Sequence, residues 1–473
     1  MKTPGAKSIF VNALYSSGAR GLSVVARAVY VVIVAKHLGP ESYGLYSYAL
    51  AWYLLFVPIS ALGMDSVLVR EIGRGRFGSE AVFAASLSLR GVTSLLVAIL
   101  CFSTAVVFEE SAEVRSLLLV LSVALLGRSL ALWATAVFRG SESSQYILSQ
   151  EATYRLLEVV LGVLLVINGF GVIALAIVHA SCWVLQGLSS MYLVRRRLGR
   201  PLRVSFHYPT ARKLLSDGMP FVISALVGAW LVQGALVLLR HGGGDPAGLG
   251  QFALALQVFV LLGSVVAELA FAAIPVLSRS EDRQDGKTQH FLDATFRIAW
   301  FMSTALTVGA VALGRPVVSA LFGESYLPSV PLIVWASALV GIFFLGNGLR
   351  SMLVARGGYY RIVWANVAGA AAFTALYFPL SEVMALHGVF LALCVGYLLV
   401  AGVQVVAVGK YLSLNWGWLV GRPLLAATLT MGACMPLSVA NPFVGLVGGI
   451  AVLILSWFLL GLVPLEKIRA TLG

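Results

Sequence analysis

A chain of 473 residues in which 59% are hydrophobic and 11% charged, with a mean hydropathy of +0.93, is not a soluble globular protein. Soluble domains carry about 25% charged residues. Its 33 Lys and Arg outnumber 20 Asp and Glu to give a net charge of +13, an excess that loop topology in a membrane protein accounts for without nucleic acid. Four cysteines, Cys101, Cys182, Cys394 and Cys434, all lie in apolar stretches with no CxxC pair, so neither a disulfide framework nor a cysteine metal site is indicated.

A spanning helix needs about 20 mostly apolar residues. On that rule the chain reads as an all-α polytopic membrane protein of about fourteen spans: 12–36, 44–68, 81–108, 116–138, 151–169, 171–194, 218–239, 248–277, 291–314, 328–354, 360–380, 384–408, 416–437 and 442–463. The first span is expected to be retained and not removed as a signal peptide. Between the fifth and sixth, "INGFGVI" must supply the whole turn. With the N-terminus cytoplasmic, about 21 Lys and Arg fall in inside loops against about 4 outside, among them Arg70, Arg74, Arg76, "RRRLGRPLR" at 195–203, Arg212, Lys213, Arg279, Arg283 and Lys287. That bias predicts a multi-pass cytoplasmic-membrane protein with both termini inside. The 195–203 run reads as an orientation signal, with binding of anionic membrane lipids as the other reading.

Residues 36–51, "KHLGPESYGLYSYALA", align without gaps to 240–255, "RHGGGDPAGLGQFALA", with identities at His37/His241, Gly39/Gly243, Gly44/Gly248, Leu45/Leu249, Ala49/Ala253, Leu50/Leu254 and Ala51/Ala255. The match joins spans 1–2 and spans 7–8, so the repeat is six helices long and both copies share one orientation. The expected organisation is an N-lobe at 1–205, a C-lobe at 206–410 and two extra helices at 411–473, with a substrate cavity between the lobes.

The stretch "AKHLGPESYGLYSYAL…LGMDSVLVREIGR" resembles the N-terminal signature of Wzx-type polysaccharide flippases of the MOP transporter superfamily. "FRG" at 138–140, "GLGQFALALQ…PVLSR" at 248–279 and "LFGESYLPSVPLIVWA" at 321–336 extend the resemblance over most of the chain. The resemblance implies a MATE-like bundle that flips lipid-linked oligosaccharides from the cytoplasmic to the outer leaflet by alternating access. It also implies cationic residues at work in the first helix, where this chain carries Arg20 and Arg27, and it leaves a polysaccharide polymerase or ligase as a candidate partner.

Charges within the spans give the chemistry. Arg20 and Arg27 lie seven residues apart, hence within about 20° on one helix face and about 10 Å apart along it. An arginine near mid-membrane costs about 2.5–3.5 kcal/mol to insert and normally faces a hydrated cavity or a partner. The spans hold Arg20, Arg27, Arg90, Arg128, Arg155, Arg297, Arg350 and Arg422 against Glu158, Glu268 and Asp65, the last placed near the outer end of span 2. Arg155 and Glu158 are spaced to neutralise one another. The remaining cationic excess suits an anion, and guanidinium grips phosphate through paired donors. Arg20, Arg27, Arg128, Arg297 and Arg350 are therefore the candidate substrate residues for a polyprenyl-diphosphate headgroup, and Glu268 and Asp65 the candidates for ion coupling. Tyr30, Trp52, Tyr53 and Trp230 are candidate sugar-stacking residues, although packing and interfacial belts use the same types.

No G-x-x-x-x-G-K-[ST] loop is present and the six histidines show no zinc spacing, so neither a cofactor nor an enzyme is expected. The alternative function is a cation-coupled multidrug or metabolite antiporter of the same superfamily, which favours acidic residues in the N-lobe.

Overall fold

A backbone in lipid has no hydrogen-bond partner but itself, so each long apolar run closes into a helix. In the computed structural model, which describes residues 6–74, 79–199, 202–203, 205, 207–272, 287–409 and 414–462, the described residues form helices and turns with no strand among them. In chain order the helices are α1 (Ala6–Ala61), α2 (Met64–Arg74), α3 (Ser79–Phe108), α4 (Ala112–Gly140), α5 (Gln145–Ile167), α6 (Val172–Arg197), α7 (Tyr208–His241) and α8 (Pro246–Ala272). They continue with α9 (Lys287–Phe322), α10 (Val330–Ala355), α11 (Tyr359–Gly409), α12 (Arg422–Ala440) and α13 (Pro442–Leu459). Eleven described helical stretches are long and apolar enough to cross a membrane. Arg76, Arg279 and Arg283 lie outside the described residues.

Two of these helices are each two spans joined at a break. In α1 the break is Gly39, at φ 73° and ψ 171°, a conformation nearly confined to glycine, and Pro40 follows without an N–H to continue the ladder. In α11 the break is Ala385, at φ 49° and ψ −131°. The "INGFGVI" turn is as short as expected: α5 ends at Ile167, Gly169 takes φ 80°, Asn168 donates its side-chain amide to Leu164 O at 2.7 Å, and α6 begins at Val172.

Asp65 lies at the end of the second span that is far from the Gly39 break. That span runs away from the Gly39 break, and about 25 residues of helix carry Asp65 some 35–40 Å along it, to the end that bears Arg70. There the chain breaks at Leu62 and Gly63, both with positive φ. Asp65 opens the short α2 and binds Arg90, which is fully buried and donates also to Ser60 O at 3.4 Å.

The chain divides into two compact units, Met1–Ala253 and Leu254–Gly473. In the first, α7 packs on α1, α2 and α3, and α4 packs on α6. The two aligned stretches, 36–51 and 240–255, touch one another there. A Cβ on Gly44 would lie 2.7 Å from Gly250 N and 3.0 Å from Pro246 O, so only paired glycines permit the approach. Beside this contact Tyr48 OH meets His241 Nε2 at 3.1 Å, and Arg240 Nη2 donates to Glu109 Oε2 at 3.2 Å. Trp52 rings this cluster with Tyr48, Phe56, Phe108 and His241 as neighbours. In the second unit Phe259, Phe343 and Tyr397 form a triangle of edge-to-face rings 5.3–5.8 Å apart.

The crossing of α4 and α6 brings the polar faces of the first unit together. A Cβ on Gly127 would lie 2.5 Å from Trp183 O, and one on Gly187 would lie 2.6 Å from Gly127 O. Gly127→Leu is expected to force the helices apart and lower stability by about 2–3 kcal/mol, the cost of overpacking a tight core. Thermal unfolding in detergent checks this, and an unchanged midpoint would refute the close crossing.

Candidate functional site: an arginine-rich cluster between α1, α4, α5 and α6

Polar residues recur at helical spacing on three helices of the first unit. On α1 they are Arg20, Ser23, Arg27 and Tyr30; on α5, Glu151, Arg155 and Glu158; on α6, His179, Trp183, Gln186 and Ser190. At about 100° per residue each set occupies one face of its helix. Arg27 points about 200° away from Val25, which belongs to the exposed apolar strip of α1. Its exposure therefore belongs to the polar face, where Tyr43, Tyr46, Arg128 and Glu158 lie within electrostatic reach and Tyr43, Tyr46 and Glu158 are buried. Arg27 belongs to this cluster of groups. Arg20 lies on the same face, near Arg139 of α4.

Hydrogen bonds knit the cluster together. Arg155 binds Glu158, donates to Gln186 Oε1 at 3.0 Å and approaches Glu151 at 3.8 Å. Glu151 also accepts from Ser23 Oγ and from Gln186 Nε2, each at 3.1 Å. Glu158 Oε1 meets His179 Nδ1 at 2.6 Å, and Trp183 Nε1 donates to His179 Nε2 at 3.1 Å. The Trp183 indole is a shelf for two guanidiniums, with the centre of Arg155 at 4.1 Å and that of Arg128 at 4.8 Å from the ring. Stacking of this kind is worth about 0.5–2 kcal/mol, more where water is excluded.

Arg128 differs from Arg155 in how little holds it. It donates to Tyr53 OH at 3.2 Å, whereas Arg155 holds Glu158 and Gln186. The buried Nε of each arginine has no hydrogen-bond partner, and a buried donor without a partner costs about 1–3 kcal/mol. Arg20, Arg27, Arg128 and Arg155 outnumber Glu151 and Glu158 there, which leaves the site cationic.

This arrangement sits in a recognisable protein. A family model described as polysaccharide biosynthesis protein matches residues 9–281. The chain belongs to that family. A search of curated proteins gives no match. Among solved structures, this family member is similar to the lipid II flippase MurJ in an inward closed conformation, with a TM-score of 0.75 and 15% identity over 96% of this chain and 98% of that one. It is also similar to an inward-facing multidrug resistance MATE transporter of the MOP superfamily, with a TM-score of 0.66 and 17% identity over 81% and 93% of the two chains. The eukaryotic MATE transporter AtDTX14 follows at 0.62 and 15%, over 89% and 100%. At such identities the likeness is one of fold, and the fold is the all-α MOP architecture expected from the sequence. The family and the apolar helices make this a multi-pass membrane protein of polysaccharide biosynthesis.

The other sequence-derived candidates fall elsewhere. Arg297 and Arg350 belong to the second unit. Arg297 stacks over Trp418 at 4.6 Å and donates to Leu462 O at 3.4 Å, while Arg350, on α10, is exposed. Asp65 is paired with Arg90, and the Glu268 side chain lies outside the described residues. Of the aromatics, Tyr53 joins the site through Arg128 and an edge contact to His179 at 5.7 Å, and Tyr30 OH lies 3.4 Å from Tyr46 OH. Trp52 belongs to the Glu109 cluster. His179, Trp183 and Gln186 were not among the sequence candidates. Their spacing of four and three residues within an apolar run is the signal that marks them.

Proposed function

We infer that the protein flips a lipid-linked oligosaccharide, carried on a polyprenyl diphosphate, from the cytoplasmic to the outer leaflet of the cytoplasmic membrane by alternating access. The observation that carries this reading is the cationic cluster of the first unit, where Arg27 is exposed among buried groups and Arg128 is held by one hydrogen bond and two aromatic faces. A diphosphate supplies the acceptor oxygens that paired guanidinium donors fit. The isoprenoid tail stays in lipid, where apolar chains have no cost of desolvation. Membership of a polysaccharide biosynthesis family and a fold shared with a lipid II flippase support a lipid-linked cargo. The positive-inside pattern supports both termini being cytoplasmic.

A cation-exporting antiporter calls for carboxylates open to a cationic drug. Glu151 and Glu158 stand in the cluster, but both are engaged by Arg155, and Glu158 also by His179. The flippase reading is favoured for that reason.

The test is the leaflet distribution of lipid-linked glycan in cells lacking the gene and any redundant flippase. Inner-leaflet accumulation is expected, rescued by wild type and not by a normally folded Arg27→Ala protein. A normal distribution in the deleted cells would refute the reading and leave the antiporter.

A further inference from the structure

One partly buried group of the cluster has no hydrogen bond to spare for an anion. His179 lies in the eighth position of α6, in the interior of the helix, with 11% of its side chain exposed. Its protonation state follows from its two neighbours. The indole N–H of Trp183 is a donor only, so His179 Nε2, 3.1 Å away, must offer its lone pair. The ring proton then sits on Nδ1 and is donated to Glu158 Oε1 at 2.6 Å. These are the hydrogen bonds that a neutral imidazole makes.

We propose that His179 is a proton-binding site that acts on the anion site through Trp183. The proposal rests on the flippase reading for the identity of the anion. Uptake of a proton at Nε2 turns that atom into a donor. Two donors then face one another, and the bond from Trp183 is lost. The indole is the shelf on which Arg128 and Arg155 rest, so its displacement repositions both guanidiniums. The same step adds one positive charge beside the candidate headgroup site. Proton and anion therefore bind cooperatively, and by linkage each raises the affinity of the other by the same factor.

Groups from every helix packed around His179 face it. Glu158 from α5, Tyr53 from α1 and Trp183 from α6 contact it directly, and Arg155 from α5, Arg128 from α4, Arg27, Tyr30 and Tyr46 from α1 and Cys182 from α6 act on its partner Glu158. Among these residue types imidazole is the one whose ordinary charge change falls between pH 5 and 8. Glu151 reaches His179 only through Gln186 and Arg155.

The experiment uses the full-length protein in detergent and farnesyl diphosphate as the probe. Affinity and tryptophan fluorescence are followed from pH 8 to pH 5 for wild type, His179→Gln and His179→Asn. Glutamine keeps a donor for Glu158 and an acceptor for Trp183 but takes no proton. Asparagine is the second variant, should glutamine not fold. In wild type the affinity is expected to rise about tenfold on acidification, a shift in the range of single-site couplings. A fluorescence step that disappears in Trp183→Phe should accompany it. The variants should show a flat affinity and no step. An equal pH dependence in wild type and in the variants would overturn the proposal while leaving the flippase reading intact. Absence of farnesyl diphosphate binding at every pH would count against the flippase reading. The Trp183 step then decides the proton site alone, its presence in wild type and loss in His179→Gln supporting the site and its absence from wild type overturning it.

Discussion

Arg128→Leu should weaken binding of a polyprenyl diphosphate by one to two orders of magnitude while leaving the protein folded. A hydrogen bond to a charged group contributes about 1.5–3 kcal/mol, which is about 10- to 150-fold in affinity. Arg128 is the right place to look because little else depends on it. It engages Tyr53 OH and the faces of Tyr53 and Trp183. Arg128→Lys should recover part of the loss, since it keeps the charge and gives up the planar fork. Calorimetric titration of the detergent-solubilised variants with farnesyl diphosphate measures both. Equal affinity for wild type and Arg128→Leu would remove Arg128 from the site.

Arg155→Leu should instead destabilise the fold, by about 3–5 kcal/mol, the usual cost of stranding a buried charge. Glu158 is 8% exposed and Gln186 2% exposed, so neither finds water when the guanidinium goes. Pairing Arg155→Leu with Glu158→Leu removes the stranded carboxylate along with its partner. The double variant should therefore unfold at a higher temperature than Arg155→Leu alone, although it has lost more polar contacts. Membrane hydrogen bonds measured singly average only about 0.6 kcal/mol. The large effect expected here comes from the uncompensated charge and not from the bonds. Thermal unfolding of the three proteins settles the sign: a double variant less stable than Arg155→Leu would show that the bonds dominate.

The two positions illustrate what a sequence makes legible. Apolar runs and the "HLGP" break are local, and they determine helices and turns whatever the neighbours. Deep arginines are legible too, because each violates the preference of its own segment, as Arg27 and Arg128 do. Arg155 and Glu158 also read correctly as a pair, being one turn apart. Their further connections were not readable. Gln186 joins Glu151 and Arg155 across two helices, and His179 joins Glu158 and Trp183. The pairing of α4 with α6 depends on where Gly127 and Gly187 let backbones meet, which no single segment reveals. Arg297 shows the converse. As a charge in a span it reads like Arg128, yet a tryptophan and a carbonyl near the end of the last described helix engage it.

The Glu109–Arg240 pair bears on how the protein is made. Glu109 ends 4% exposed, and its arginine lies 131 residues further along the chain. At about 5–20 residues per second the ribosome needs roughly 7–26 s to deliver it. For that interval the first six spans carry a carboxylate whose permanent counter-charge has not yet been synthesised. The glycine contact between the two aligned stretches cannot form either. The first unit is thus finished by the second of them, and insertion of the seventh helix is the step that closes it.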